Sequence, residues 1–202
     1  MIGKVYSAAV TGIYAVPVEV QADVTPGIPY FELTGNLAGT TKEAKERVRI
    51  AIKNSKFQIN PSKITINMIP ANIRKEGTAY DLAVAVAVLT AVGVIAAKKV
   101  SGALFIGELG LDGGICNVSS ILPMTLCARD NGFTICYVPM GNIGEASLVT
   151  GIRVIGISSL RECVDYINNG CNCRAHVDNN IDNAADNNID FADIRGQASA
   201  KR

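Results

Sequence analysis

Apolar and polar positions alternate with a period of two at the start of the chain. "KVYSAAV" and "IYAVPVEVQADV", on either side of Thr11-Gly12, read as two strands, with Pro17 favouring an edge or a bulge in the second. Between Thr40 and Asn54 the period lengthens to that of a helix. Ala44, Val48, Ala51 and Ile52 share one face, and Thr40 with Glu43 has capping-box spacing. "KITINMIP", residues 63–70, sets Ile64, Ile66 and Met68 against Thr65 and Asn67, which predicts a strand. The uncharged run from Leu82 to Ala97 alternates Ala with Val, but its 16 residues are too many for a strand. As a helix it would span about 24 Å. A buried helix started by Thr78 or Asp81 is therefore expected.

Further on, "ALFIGEL" and "GICNV" flank Asp112-Gly113, a hairpin signal, and Ser119 to Asp130 reads as a helix with Pro123 in its first turn. "FTICYVP", "GIRVIGI" and "SLRECVDYI" supply strand, strand and helix. Strands separated by helices of this length imply crossover connections and an α/β layer structure. Near residue 168 the pattern stops. Residues 168–190 hold eight Asn and four Asp with few large apolar side chains, too little to offset the entropy of ordering. Residues 1–168 thus read as the folded domain and 169–189 as a flexible linker. In 190–202, "DFADIRGQASAKR", Phe191 and Ile194 restore apolar anchors.

Composition narrows the class. The chain has 202 residues, 49% hydrophobic and 18% charged, with a formal net charge of +1. This fits one globular domain with a substantial core and excludes a strongly basic or acidic protein. The Leu82–Ala97 run falls short of the roughly 18 to 20 residues that span a bilayer, and the apolar N-terminal stretch lacks a clear cleavage site. A cytoplasmic location without membrane contact is expected. Of the six cysteines, those at 116, 127, 136 and 163 lie singly in apolar segments, where a thiol packs as a small hydrophobe. Cys171 and Cys173 with His176 offer three ligands and no second cluster, so no metal site is assigned.

"RKEGTAYD", residues 74–81, precedes the long apolar run, where some folds carry a nucleophile. A Ser-His-Asp triad is improbable, because the one histidine, His176, lies in the linker. A Ser-Lys pair needs no histidine. Here "PANIRKEGTAYD", followed about thirty residues on by "GELGLDG", resembles the proteolytic domain of Lon-type proteases. In that family a Pro-Lys-Asp-Gly-Pro-Ser-Ala-Gly run places the nucleophile at a helix start, and a lysine after the Gly-Glu hairpin acts as base. The alignment puts Ala79 at the serine position and Leu122 near the lysine position. The resemblance implies a degenerate Lon-like fold, a mixed sheet with packed helices, without the protease.

"NSKFQINPSKITINMIPANIRKEGTAYDLAVAVAVL", residues 54–89, resembles more closely the N-terminal domain of magnesium-chelatase-like AAA+ ATPases of the ComM/YifB type. "PGIPYFELTGNLAGTTKEAKERVRIAIKNS" agrees with it, and "DFADIRGQASAKR" is similar to the segment leading into that family's ATPase domain. Thr78, Ala79 and "CNVSS" depart from the commoner family residues. The resemblance implies a non-catalytic accessory domain of a hexameric, DNA-dependent motor acting in recombination or natural transformation. Its implied partners are its own AAA+ domain, neighbouring subunits and DNA. ATP and magnesium are implied for the parent protein and no cofactor for this chain. Nothing resembles a porphyrin site.

Charge placement bears on the DNA reading. Between Lys42 and Glu76 there are nine Lys or Arg against three Glu. Lys42, Lys45, Arg49, Lys53, Arg74 and Lys75 are the nucleic-acid-binding candidates. The plainer alternative is a solvated helix face on which Glu43 pairs with Arg47. Gly77 and Asp81 are read as turn and helix cap, Asp112 and Gly113 as a turn, and Tyr80 as core. A scaffold that sets ring symmetry without touching nucleic acid fits the near-neutral total charge. A residual serine hydrolase is the remote alternative. ATP binding needs G-x-x-x-x-G-K-S/T, and no such string occurs up to Arg202. The purified chain is therefore expected to release no phosphate from ATP in a malachite-green assay; turnover would refute the reading.

Overall fold

The computed structural model describes residues 2–170. The linker, the 190–202 segment, Cys171, Cys173 and His176 lie outside the described residues. Strands β1 (Ile2–Thr11) and β2 (Tyr14–Pro26) form a hairpin in which Thr11 faces Tyr14. Next come β3 (Tyr30–Thr34), α1 (Gly39–Lys42), α2 (Ala44–Asn54) and β4 (Ser62–Ile69). The long apolar run gives α3 (Asp81–Ala91), followed by α4 (Ala97–Val100). Then follow β5 (Ala103–Phe105), β6 (Glu108–Leu109), β7 (Ile115–Cys116) and α5 (Ile121–Asp130). The last elements are β8 (Ile135–Pro139), α6 (Ile143–Ala146), β9 (Arg153–Ile157) and α7 (Leu160–Asn169).

Seven strands form one sheet in the order β3-β4-β2-β1-β5-β8-β9, while β6 and β7 pair separately as an antiparallel ribbon. The sheet is mixed. Pairs β1–β2 and β2–β4 are antiparallel; β3–β4, β1–β5, β5–β8 and β8–β9 are parallel. The expected α/β architecture of a mixed sheet with packed helices is therefore present. Alternation decides the faces: Val18, Val20, Ala22, Ile64, Ile66 and Met68 join the main core with α2, α3 and α7. A second cluster packs Ile121, Met124 and Cys127 of α5 against Ala8, Leu104 and Cys136. No helix among the described residues is long and apolar enough to cross a membrane.

Several local expectations need correction. Strand β2 is interior rather than an edge, yet Pro17 is accommodated because pairing with β4 begins only at Glu19. In a two-residue hairpin whose last pair is Thr11–Tyr14, the missing N–H of Pro17 points toward that unpaired side. The expected single helix 40–54 is divided at Glu43, and its capping box is absent: Ala38 precedes α1 and Thr40 lies inside it. Helix α3 stops at Ala91 instead of Ala97. Gly93, at φ +82°, donates to Thr90 O (3.1 Å), and Val94 donates to Leu89 O (2.9 Å), a Schellman ending. Cys127, Cys136 and Cys163 are buried as expected, but Cys116 is exposed, because alternation in β7 turns Ile115 inward and Cys116 out.

The side-chain hydroxyl of Ser7 on β1 is fully buried with no hydrogen-bond partner among the described residues. An unpaired buried hydroxyl costs about 1 to 3 kcal/mol. Ser7→Ala is therefore expected to raise the unfolding free energy by about 1 kcal/mol in urea melts; a loss of stability would show that the hydroxyl finds a partner.

Candidate nucleic-acid interface

Helices α1 and α2 cover the core with Thr41, Ala44, Val48, Ala51 and Ile52 and turn the opposite face to solvent. Burial of one stripe forces the charged residues onto the other. Lys42, Lys45, Arg49 and Lys53 are all exposed and follow one another at intervals of three and four positions. The break at Glu43 preserves the succession, since Glu43 itself has helical dihedrals, φ −69° and ψ −17°. Among the described residues, Lys42, Lys45 and Lys53 have no carboxylate at ion-pair distance, while Arg49 pairs with Glu46 at 2.9 Å.

The other two candidates separate. Arg74 is exposed on the loop before α3, where its guanidinium meets Glu76 at 3.1 Å. Lys75 is a correction: it is fully buried and no part of a surface strip. Its ammonium donates to Gly35 O at 2.8 Å and to Pro70 O, and burial pulls its pKa below the ordinary lysine value. The backbone of Lys75 is held as well, donating to Asn36 O (3.0 Å) and accepting from Ala38 N (2.9 Å). The Thr41 hydroxyl lies 3.0 Å from both Lys75 O and Gly77 O. Lys75 thus ties the loop before α3 to the start of α1. The sequence signal that distinguishes it is thin: a lysine beside two other charged residues reads as solvated.

Asp81 is the second correction. It is the first residue of α3 rather than its cap, and its carboxylate makes no capping bond. Instead Arg47 of α2 grips it from the side, Nε to Oδ2 at 2.7 Å and Nη2 to Oδ1 at 3.1 Å, and Leu109 N donates to Oδ2 at 3.3 Å. Burial raises the Asp81 pKa against the pull of Arg47, and Arg47 is held charged by Asp81. The Glu43–Arg47 contact expected on the helix surface exists at 3.9 Å and is secondary. Gly77 adopts φ +83° in the approach to α3, and Tyr80 is buried. At the hairpin between β6 and β7, Gly113 has φ +89° and the Asp112 carboxylate accepts from Gly114 N at 2.9 Å.

The positions aligned with a protease dyad hold no reactive group. Ala79 is buried, its carbonyl accepts from Gly107 N at 2.9 Å, and it packs in the cluster that contains Ile121 and Met124. Leu122, between those two, is partly buried. The adjacent Thr78 hydroxyl donates to Glu108. Removing one partner of a buried ion pair costs about 3 to 5 kcal/mol, whereas an apolar exchange of both is far less costly. Asp81→Ala is expected to destabilise the domain by about 3 kcal/mol, since Arg47 keeps only partial solvation, and Arg47→Met/Asp81→Leu should recover most of it. Equal losses in the single and double variants would refute this account.

The family described as subunit ChlI of Mg-chelatase matches residues 20–142. Competence protein ComM of Haemophilus influenzae is 31% identical over 202 residues, which cover 98% of this chain and 40% of that protein. YifB of Escherichia coli is 36% identical over 147 residues, 73% of this chain and 29% of that one. DNA repair protein RadA of Listeria monocytogenes is 27% identical over 173 residues, 80% of this chain and 35% of RadA. The chain thus spans no more than 40% of the length of these relatives. By the match over residues 20–142 and the agreement with ComM and YifB, the chain belongs to the magnesium-chelatase-like ComM/YifB family.

Proposed function

We propose that this domain is the non-catalytic N-terminal accessory part of a magnesium-chelatase-like AAA+ ATPase, and that it holds DNA while the parent acts in recombination or transformation. The observation that carries the reading is the exposed row Lys42, Lys45, Arg49 and Lys53 on α1–α2. Eleven positions of helix extend about 16 Å, long enough to follow several phosphates of one strand at about 3.4 Å of axial rise each. Such contacts position a duplex without reading its bases. Two relatives, a competence protein and a DNA repair protein, support the same direction. ATP and magnesium belong in this reading to the parent's ATPase part, as does the hexameric ring.

A second reading, a ring scaffold without DNA contact, draws support from the open edge of the sheet. Among the described residues strand β3 has no neighbour on its outer side; its first residue, Tyr30, is 52% exposed, and Ile28 just before it 88%. Exposed apolar groups at an unpaired edge favour association.

Fluorescence anisotropy with labelled single-stranded, duplex and forked DNA across a salt series, paired with a light-scattering mass, separates the two. The DNA reading expects binding that weakens steeply with salt, and Lys45→Glu/Arg49→Glu should flatten the log–log slope by about two, one per phosphate contact. A defined oligomer with no DNA affinity would decide for the scaffold.

A further inference from the structure

Helix α2 ends in an unusual way. Lys56 donates to Lys53 O (3.0 Å) and Phe57 to Ile52 O (3.2 Å), a Schellman ending that places Lys56 at φ +61°. That position favours glycine, which has no Cβ to crowd the backbone. Helices α3 and α5 end the same way and do use glycine, Gly93 and Gly132, at φ +82° and +78°. At the end of α2 the chain keeps a long cation instead. Lys56 lies just beyond the end of α2, three positions after Lys53 in sequence, and near the start of α7.

There it lines a cleft of about 460 Å³ together with Ser55, the 112–114 turn, Ser159 and Arg161. Among the described residues Lys56 has no carboxylate at ion-pair distance. Arg161 lies over the Phe57 ring, 5.1 Å from its centroid, with Asp165 at 3.5 Å. Ser55 is only 8% exposed, and its hydroxyl lies against the Gly113 turn at the cleft wall. The Ser159 hydroxyl accepts from Glu162 N at 3.2 Å and keeps its own proton to donate. The carboxylate in the lining, Asp112, is turned back on Gly114 N. Two cations and two hydroxyl donors around an open space suit a group rich in acceptor oxygens.

We infer that this cleft seats a phosphodiester group of a nucleic-acid strand running off the α1–α2 row, with Lys56 and Arg161 supplying charge and Ser55 a hydrogen bond. The inference rests on the DNA reading of that row. It explains why a lysine occupies a position that suits glycine: the backbone strain is tolerated for what the side chain holds.

Lys56→Gly is the most informative variant, because it removes the cation while relieving the backbone. The full chain carrying it should melt no lower than the wild type, yet bind labelled duplex more weakly, with a log–log salt slope flatter by about one. Arg161→Gln should act in the same direction, and Ser55→Ala should lower affinity without changing the slope. Wild-type affinity and slope in all three, alongside weakened binding by Lys45→Glu, would overturn the cleft and leave the row standing. Absence of DNA binding by the wild-type chain would overturn both. If inorganic phosphate at constant ionic strength stabilises the wild type but not Lys56→Gly, while DNA binding ignores all three variants, the seat belongs to a small phosphate ligand and the proposal fails.

Discussion

Helix α3 has no face for water. All eleven of its residues, Asp81 to Ala91, are buried, and a helix apolar all round must be covered on every side. The sheet supplies one cover, α2 and α7 supply others, and each is shaped by the need to come close. Where β1 crosses α3, a side chain at Gly3 would place its Cβ 2.1 Å from Ala87 O. A residue without a side chain is the condition for that approach. The small Ala and Val side chains along α3 serve the same end, letting strands and helices lie near its axis with little void.

This constraint fixes where charge can go. Covering α3 uses up the inner stripe of α2, so its remaining positions are left to water and hold Lys45, Arg49 and Lys53. Arg47 sits at the border between the two, where its side chain is 20% exposed and its guanidinium reaches the fully buried Asp81. The pair satisfies the one carboxylate at the start of α3 and joins the two helices with fixed geometry. A rigid helix presents its outer side chains with constant spacing, which a loop could not do. The basic row therefore follows from how the core is closed.

The strands were largely legible because burial of one sheet face imposes alternation, and "KITINMIP" and the β1–β2 hairpin carry that period openly. What was not legible depended on contacts far apart in sequence. Asp81 looks like a cap when only its own helix is considered, and its true partner lies 34 positions away. Lys75 looks solvated beside Arg74 and Glu76, but its ammonium reaches back 40 positions to Gly35 O. The end of α3 was written in Gly93, yet the uninterrupted apolar run on both sides concealed it. Ser55, Lys56 and Arg161 form no motif at all, since the cleft is assembled from three separated segments.

The same topology gives the segment before α3 a structural part to play. Ala79 and Ile121 share one buried cluster, so the start of α3 and the start of α5 are joined by apolar packing. A serine at position 79 would have to be desolvated there. With alanine that requirement disappears, and the position contributes burial instead. The loop before it is then held by structural bonds alone: Lys75 to two backbone carbonyls, Thr41 to Lys75 O and Gly77 O, and Thr78 to Glu108. Polar groups that pin a loop from both ends make it a firm support for α1, whose first turn begins the basic row. The loop over residues 75–78 thus supports the start of α3 and the beginning of the basic row together, so the order of that row depends on bonds made by residues outside it.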